Sequence, residues 1–329
     1  MRIIVFILKE IGQLALLAFL VTSATFLMSA LIPGDFFTRQ LLDPNIRIET
    51  VQQLRHHYGL DQPFHVQYAR WLINSLHLDF GYSLFYQRAV VPVVADAIAK
   101  TLWIALPALV LGLLGGIVMG TLHGIRSNRL EGHALNVLST LALSFPTLVL
   151  GLGALILASR THWFPLGSMS STNAMELSGW QWLVDRIHHL ALPVACLTVP
   201  ILASVERIQS AATRTCAKEL WVRSARARGL SAHTIFFRHL LRPSLNNVLA
   251  VSGPMLGSVL SGSLVLEVIF SWPGLGRVTY DAVFNNDLHL LVGSAAASTV
   301  LLVAGNAIAD LLLLVLEPRT RTLAQGGSR

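Results

Sequence analysis

Charge is what this sequence has least of. Asp, Glu, Lys and Arg make up 12% of its 329 residues, where a soluble domain carries about a quarter. Hydrophobic residues reach 53% and the mean hydropathy is +0.61, so too little polar surface exists to coat a globule in water. Lysine is scarcer still: Lys9, Lys100 and Lys218 are all there are, and none follows a glycine. That excludes a phosphate-cradling loop ending in Gly-Lys-Ser/Thr, so the chain does not bind ATP by that route. His-Glu-x-x-His and Gly-x-Ser-x-Gly are absent as well, and no catalytic residue is assigned. The two cysteines, Cys196 and Cys216, fall in or beside one apolar run and its exit, which leaves no external disulfide framework. His56-His57 and His188-His189 are adjacent pairs, whose side chains point in different directions on a helix or strand, and no metal site is assigned.

What is present is a set of long apolar runs. Windows free of Asp, Glu, Lys and Arg cover 11–34, 101–125, 132–159, 187–205, 243–266 and 288–309, each close to or above the roughly 20 residues that cross a bilayer as helix. Six spanning helices are predicted. The first window follows Arg2 and Lys9 like a secretory leader, but its apolar run is longer than the h-region of an ordinary signal peptide, which favours an uncleaved helix. With the N-terminus inside, six spans return the C-terminus inside, and the cytoplasmic segments then collect 15 of the 24 Lys and Arg. That obeys the positive-inside rule. Residues 33–99 fall outside, where the five arginines of a long loop weigh little.

Proton or sodium coupling shows as ionisable residues deep inside spans, whereas Glu206, Glu267 and Asp310 all fall near predicted span ends. Asn306 and Asp310 form an i, i+4 pair, read as an interhelical polar contact near the interface. Pro107, Pro146, Pro193 and Pro254 lie in or at the edge of spans as kinks or hinges.

The charge that exists is concentrated. From Arg214 to Arg242 seven basic residues face one acid, Glu219, giving +6 in a chain whose total is +7. Leu220, Trp221, Ser224, Ala225 and Arg228 recur at spacings of three and four, one face of a helix. Gly229 fits a helix-ending left-handed position and Ser231 an N-cap. A second short helix then carries Ile235, Phe236, His239 and Leu240 on one side, with Arg238 and Arg242 toward phosphate or water. Two short helices joined by a tight turn are predicted on the cytoplasmic face, with the small residues Ser224, Ala225 and Gly229 where another surface approaches closely. On physics alone two readings stay level: a basic pair resting on anionic lipid, and a helix docking in a groove of a soluble partner. Nucleic acid is disfavoured, since interleaved aromatics are lacking and the patch is tethered to a membrane.

The stretch "WVRSARARGLSAHTIFFRHLLRPSLNNVL" resembles the coupling segment of permease subunits in binding-protein-dependent ATP-binding-cassette importers of the dipeptide, oligopeptide and nickel branch. Ser224, Ala225 and Gly229 occupy the small positions of that signature. Its glutamate is Arg223 here, and its usual Arg-Asn ending is Arg242-Pro243, which predicts a shortened second helix or a kinked entry to span five. "YGLDQPFHVQYARWL", "LDFGYSL", "FPLGS", "LEVIFSWPGLGR" and "NAIADLLLLVLEPRTR" resemble further segments of that family in order along the chain.

The resemblance implies an all-α membrane protein with the six-helix fold of a type I importer permease. Its parts are an N-terminal helix over 1–32, an external segment of short helices over 33–99, a five-helix core over 100–316 with a coupling loop at 208–245, and a cytoplasmic tail at 317–329. It implies a bacterial inner-membrane location, a second homologous permease, two separate ATPase subunits that hold ATP and magnesium, an external substrate-binding protein, and no cofactor on this chain. Trp221, Arg223, Ser224, Ala225, Arg226, Arg228, Gly229, Leu230 and Arg238 would meet the ATPase; di- or oligopeptides would be the cargo. "SWPGLG" breaks the helix at the outer mouth, where gating or binding-protein contact stands level with plain capping of span five. Trp272, Pro273, Gly274 and Gly276 belong to that turn, and Glu267, one turn earlier, lines the path or, the favoured reading, pairs with Arg277. The rival from another class is an ion-coupled secondary carrier working alone, whose marks are mid-span charges and broken helices at the midplane.

Overall fold

The computed structural model describes residues 2–29, 31, 34–38, 48–127 and 130–316, with side chains from 11 to 308 within those ranges, Met175 and Pro254 excepted. The tail at 317–329, Pro33, Arg129 and the side chain of Asp310 lie outside the described residues. The chain is almost wholly helical: α1 (Arg2–Ser29), α2 (Ile48–His57), α3 (Phe64–Leu76), a two-stranded hairpin of β1 (Tyr82–Ser83) and β2 (Arg88–Ala89), α4 (Val90–Ile125), α5 (Leu130–Ser144), α6 (Thr147–Thr161), α7 (Gly179–Lys218), α8 (Leu220–Ala227), α9 (Ala232–Thr234), α10 (Arg242–Ile269), α11 (Leu275–Phe284) and α12 (Leu288–Leu316). Among the described residues four helices are long and apolar enough to cross a membrane unbroken, within α1, α4, α7 and α12. Two further spans are bent pairs: α5 with α6, at 97° around Phe145-Pro146, and the stretch 232–269, at 52° between Gly253 and Met255. Counting each pair as one span gives six, and the two bent ones fall on the third and fifth apolar windows. Proline explains the first break, because its ring removes an N–H and collides with the preceding turn.

Two compact units divide the chain, Met1–Thr101 with Pro273–Val303, and Leu102–Trp272 with Ala304–Arg329. In the first, Phe26 of α1 packs its ring 5.2 Å from Phe64, 5.4 Å from Tyr68 and 5.5 Å from Trp71, so α3 is anchored by an aromatic cluster. Asp287, buried, organises the hairpin: one carboxylate oxygen accepts from the Ser83 hydroxyl (2.8 Å) and the Phe85 N–H (3.0 Å), the other from the Leu290 N–H (3.2 Å) at the start of α12. Tyr86 donates its hydroxyl to Asp281 on α11 (2.9 Å). Burial first, and that bond second, raise the Tyr86 phenol above its ordinary pKa. Arg277 reaches the same Asp281 at 3.2 Å, four residues along its own helix. Ser83, Phe85 and Tyr86 are therefore the residues that fasten the segment after α3 to α11 and to the start of α12.

In the second unit α4 lies directly on α7. Gly112, Gly116, Gly120 and Gly124 recur every four residues, and a Cβ on each would come within 2.5 Å of Ile201 Cγ2, 2.8 Å of the Leu202 carbonyl, 2.5 Å of the Glu206 carbonyl and 2.8 Å of the Ser210 carbonyl. Only glycine permits that approach along four turns, the small-residue packing by which membrane helices associate where water supplies no driving force. At 40 residues α7 is about 60 Å long, twice the hydrocarbon thickness, so it continues out of the bilayer and carries the next helix on its end.

Candidate coupling segment and outer turn

α8 follows α7 after a single residue, Glu219, in extended conformation. Its amphipathic period turns Val222 and Ala225 inward, where both are fully buried against Ile235 and Leu240. Ala225 thus corrects the sequence reading: it lets the two short helices close on one another and offers no surface to a partner. Trp221 (47% exposed), Arg223, Ser224, Arg226, Arg228, Leu230 and Arg238 all face outward. This outer surface mixes aromatic, aliphatic and basic groups, the composition of a protein-docking patch.

The corner is a Schellman turn. Gly229 N–H donates to the Arg226 carbonyl (3.0 Å) and Leu230 N–H to the Ala225 carbonyl (3.3 Å), with Gly229 at φ +74°. A Cβ at Gly229 would meet nothing within 4 Å, so the constraint there is conformational and the corner is open. Ser231 caps the next helix, its hydroxyl oxygen accepting from the Thr234 N–H at 3.3 Å. Ile235–Leu241 then widens into a π-helical stretch and α10 runs on from Arg242 with Pro243 in its first turn. The expected shortening or kink at Arg242-Pro243 is replaced by this wide turn, which accommodates the missing N–H without ending the helix.

The turn that ends α10 repeats the same hydrogen bonds. Ser271 N–H donates to the Val268 carbonyl (3.3 Å) and Trp272 N–H to the Glu267 carbonyl (2.8 Å), with Ser271 at φ +49°. This is a helix cap closed by a non-glycine residue, and Pro273 follows where a stop is favoured. The Ser168 N–H of "FPLGS" donates to the Phe270 carbonyl at 2.8 Å, and a Cβ at Gly167 would stand 2.6 Å from that oxygen. Two segments read separately in the sequence thus meet at one backbone position. Trp272 and Glu267 are fully buried, as are Gly274 and Gly276, and Pro273 is half-buried; Trp272 fills the core with Ile104, Leu197 and Phe270.

Sequence reasoning missed a buried polar layer. Glu206, placed near a span end by its apolar window, lies twelve residues inside α7 and is fully buried. It accepts from the Ser139 hydroxyl of α5 at 2.6 Å and lies 2.5 Å from His123 Nδ1 of α4. One turn on, Gln209 bonds Thr121 of α4 (3.0 Å) and Ser244 of α10 (2.8 Å). The signal available was the glycine stripe of α4, which marks the helix face these residues share.

Two family models match the chain: binding-protein-dependent transport system inner membrane component over residues 92–322, and the N-terminal membrane component of the same kind of system over residues 3–105. The chain is 32% identical over 301 residues to the oligopeptide transport system permease protein AppB of Bacillus subtilis (strain 168), covering 91% of this chain and 93% of that one. It is 31% identical over 323 residues to a putative peptide transport system permease protein of Brucella abortus (strain 2308), covering 96% and 98%. To the dipeptide transport system permease protein DppB of Lactococcus lactis subsp. cremoris (strain MG1363) it is 30% identical over 318 residues, covering 96% and 99%. With the first model spanning well over half the chain and its bent, multi-helix membrane architecture in place, the protein belongs to the family of inner membrane components of binding-protein-dependent transport systems.

Proposed function

We propose that this chain is one of two permease subunits of an ATP-driven importer of di- or oligopeptides. The observation that carries the reading is the outward face of α8, with Trp221, Arg223, Ser224, Arg226 and Arg228 exposed beside the open Gly229 corner, on a chain with no nucleotide loop of its own. Two cytoplasmic ATPase subunits, holding ATP and magnesium, dock on that face. A second permease completes the path and an external binding protein delivers cargo. Both termini are cytoplasmic in a bacterial inner membrane. ATP biases inward-facing and outward-facing states only by its differential binding to them, so α8 must pass displacement to the spans through rigid contacts. Peptide cargo is supported by the names of the relatives. Buried Glu206 is the feature an ion-coupled carrier would use, but membership of a binding-protein-dependent family favours coupling through partners.

The test is a mild-detergent pull-down of the tagged chain from native membranes, with mass spectrometry of what accompanies it and Gly229→Arg alongside. A second permease and soluble ATPases are expected, the ATPases being lost in the variant. Recovery of the tagged chain alone would overturn the importer and turn attention to ion-driven transport.

A further inference from the structure

The two legs of the cytoplasmic hairpin, the end of α7 and the start of α10, are joined well before the helices they carry. Gln209, fully buried on α7, donates from Nε2 to Ser244 Oγ of α10 at 2.8 Å and to Thr121 Oγ1 of α4 at 3.0 Å, with Thr213 of its own helix at 3.4 Å. Both outer hydroxyls are spoken for: Ser244 donates to the Leu241 carbonyl (2.9 Å) and Thr121 to the Ile117 carbonyl (2.7 Å). Each therefore offers the amide only an acceptor. Gln209 Oε1 is buried and has no hydrogen-bond partner among the described residues, which makes this amide a poor stabiliser, since an unmet buried acceptor is unfavourable. A leucine would fill the space without that cost. What leucine would not do is fix the azimuth of three helices against one another, because apolar contact is non-directional and lets helices slide, while a hydrogen bond in a dry interior does not.

The neighbouring contacts reinforce the same geometry. Glu206, three residues earlier on the same face of α7, engages α4 and α5 through His123 and Ser139, and the glycine stripe lets α4 and α7 pack in close contact. Gln209 is the member of this layer that reaches α10, the leg by which the chain returns from α9.

We propose that Gln209 is a positioning residue of the energy-coupling step: by fastening both legs of the hairpin to α4 it makes displacement of α8 and α9 a displacement of the spans. The inference rests on the importer reading above and assigns to one residue the link that reading requires. Without the link the hairpin would flex at its neck and ATP would be hydrolysed with little movement of the path.

The experiment uses the complex recovered from native membranes, reconstituted in liposomes with its external binding protein, with labelled trialanine as probe. Uptake and phosphate release are measured together, and their ratio is compared between the wild-type chain, Gln209→Leu, Ser244→Ala and the double variant. In Gln209→Leu the amount of assembled complex and its ATP hydrolysis are expected to stay within about twofold, while uptake per ATP falls about tenfold, within the range typical of coupling between sites. Ser244→Ala should lower the ratio less, and the double variant should be no worse than Gln209→Leu, since both remove one bond. A purely structural role would reduce uptake and hydrolysis together in step with lost complex and leave the ratio unchanged; that result overturns the proposal. Should Gln209→Leu fail to assemble, an unchanged ratio in Ser244→Ala overturns it equally. Absence of ATP-driven uptake by the wild-type complex would be seen before any variant is compared, and would remove the importer reading and this inference with it.

Discussion

The corner between α8 and α9 and the turn that ends α10 are closed by the same pair of backbone hydrogen bonds, yet they use opposite materials. The corner between α8 and α9 has glycine at φ +74°, open space around its Cα, and a half-exposed Trp221 two turns before it. The turn that ends α10 has serine at φ +49°, and the residue after it, Trp272, is sealed in the core. Backbone geometry thus tells nothing of the role; what the flanking tryptophan touches does. One turn presents a surface and the other plugs one, so the same substitution is expected to strike recognition in the first and folding in the second.

Tryptophan deletion gives the widest separation. Trp272→Ala removes a buried side chain from the cluster of Ile104, Leu197 and Phe270, and a loss of about 3 kcal/mol or more is expected. Thermal unfolding of the detergent-solubilised chain should show it as a lower midpoint. Trp221→Ala should shift the midpoint by no more than about 0.5 kcal/mol equivalent, as exposed positions do, while reducing recovery of the proposed ATPase partner in the pull-down. Equal destabilisation by both would abolish the distinction between the turns.

Backbone strain comes next. Gly229→Val forces a β-branched residue into the left-handed region, at about 1–2 kcal/mol or more, while its Cβ meets no neighbour within 4 Å. Assembly of the membrane chain should therefore survive while ATP-driven uptake drops severalfold, because the angle between α8 and α9 relaxes. Uptake equal to wild type would show that the corner's geometry is not what the partner reads.

These expectations rest on features of unequal legibility. Gly229, the Ser231 cap and the apolar windows were readable because each is fixed within a few residues of chain. The inward turn of Ala225 was not, since spacings of three and four mark a face without saying which side meets the second helix. Pro243 signalled a break, and the π-helical stretch that absorbs it depends on neighbours beyond local propensity. Glu206 and His123 are 83 residues apart and Ser83 and Asp287 are 204 apart; no periodicity connects them, because their pairing is set by how whole helices pack. The four-residue glycine repeat of α4 was in plain view and carried part of that information, since glycine at every fourth position announces the face on which another helix will lie.

The smallest expected effect tests the comparison most closely, because it exchanges the two materials. Ser271→Gly relieves a left-handed strain of about 1–2 kcal/mol but adds backbone freedom to the unfolded chain worth about 0.5–1 kcal/mol, so a net gain of about 0.5 kcal/mol is expected. Gly229→Ser runs the same balance backwards and should lose a similar amount, with nothing near its Cα to add a packing cost. Paired thermal unfolding of the two variants reads the sign directly. Opposite signs of similar size would establish that the two turns are one backbone motif and that their functions differ only through the side chains around them. Equal signs would mean that the surroundings of Ser271 hold it in place, making the turn after α10 a distinct structure and not the buried counterpart of the corner at Gly229.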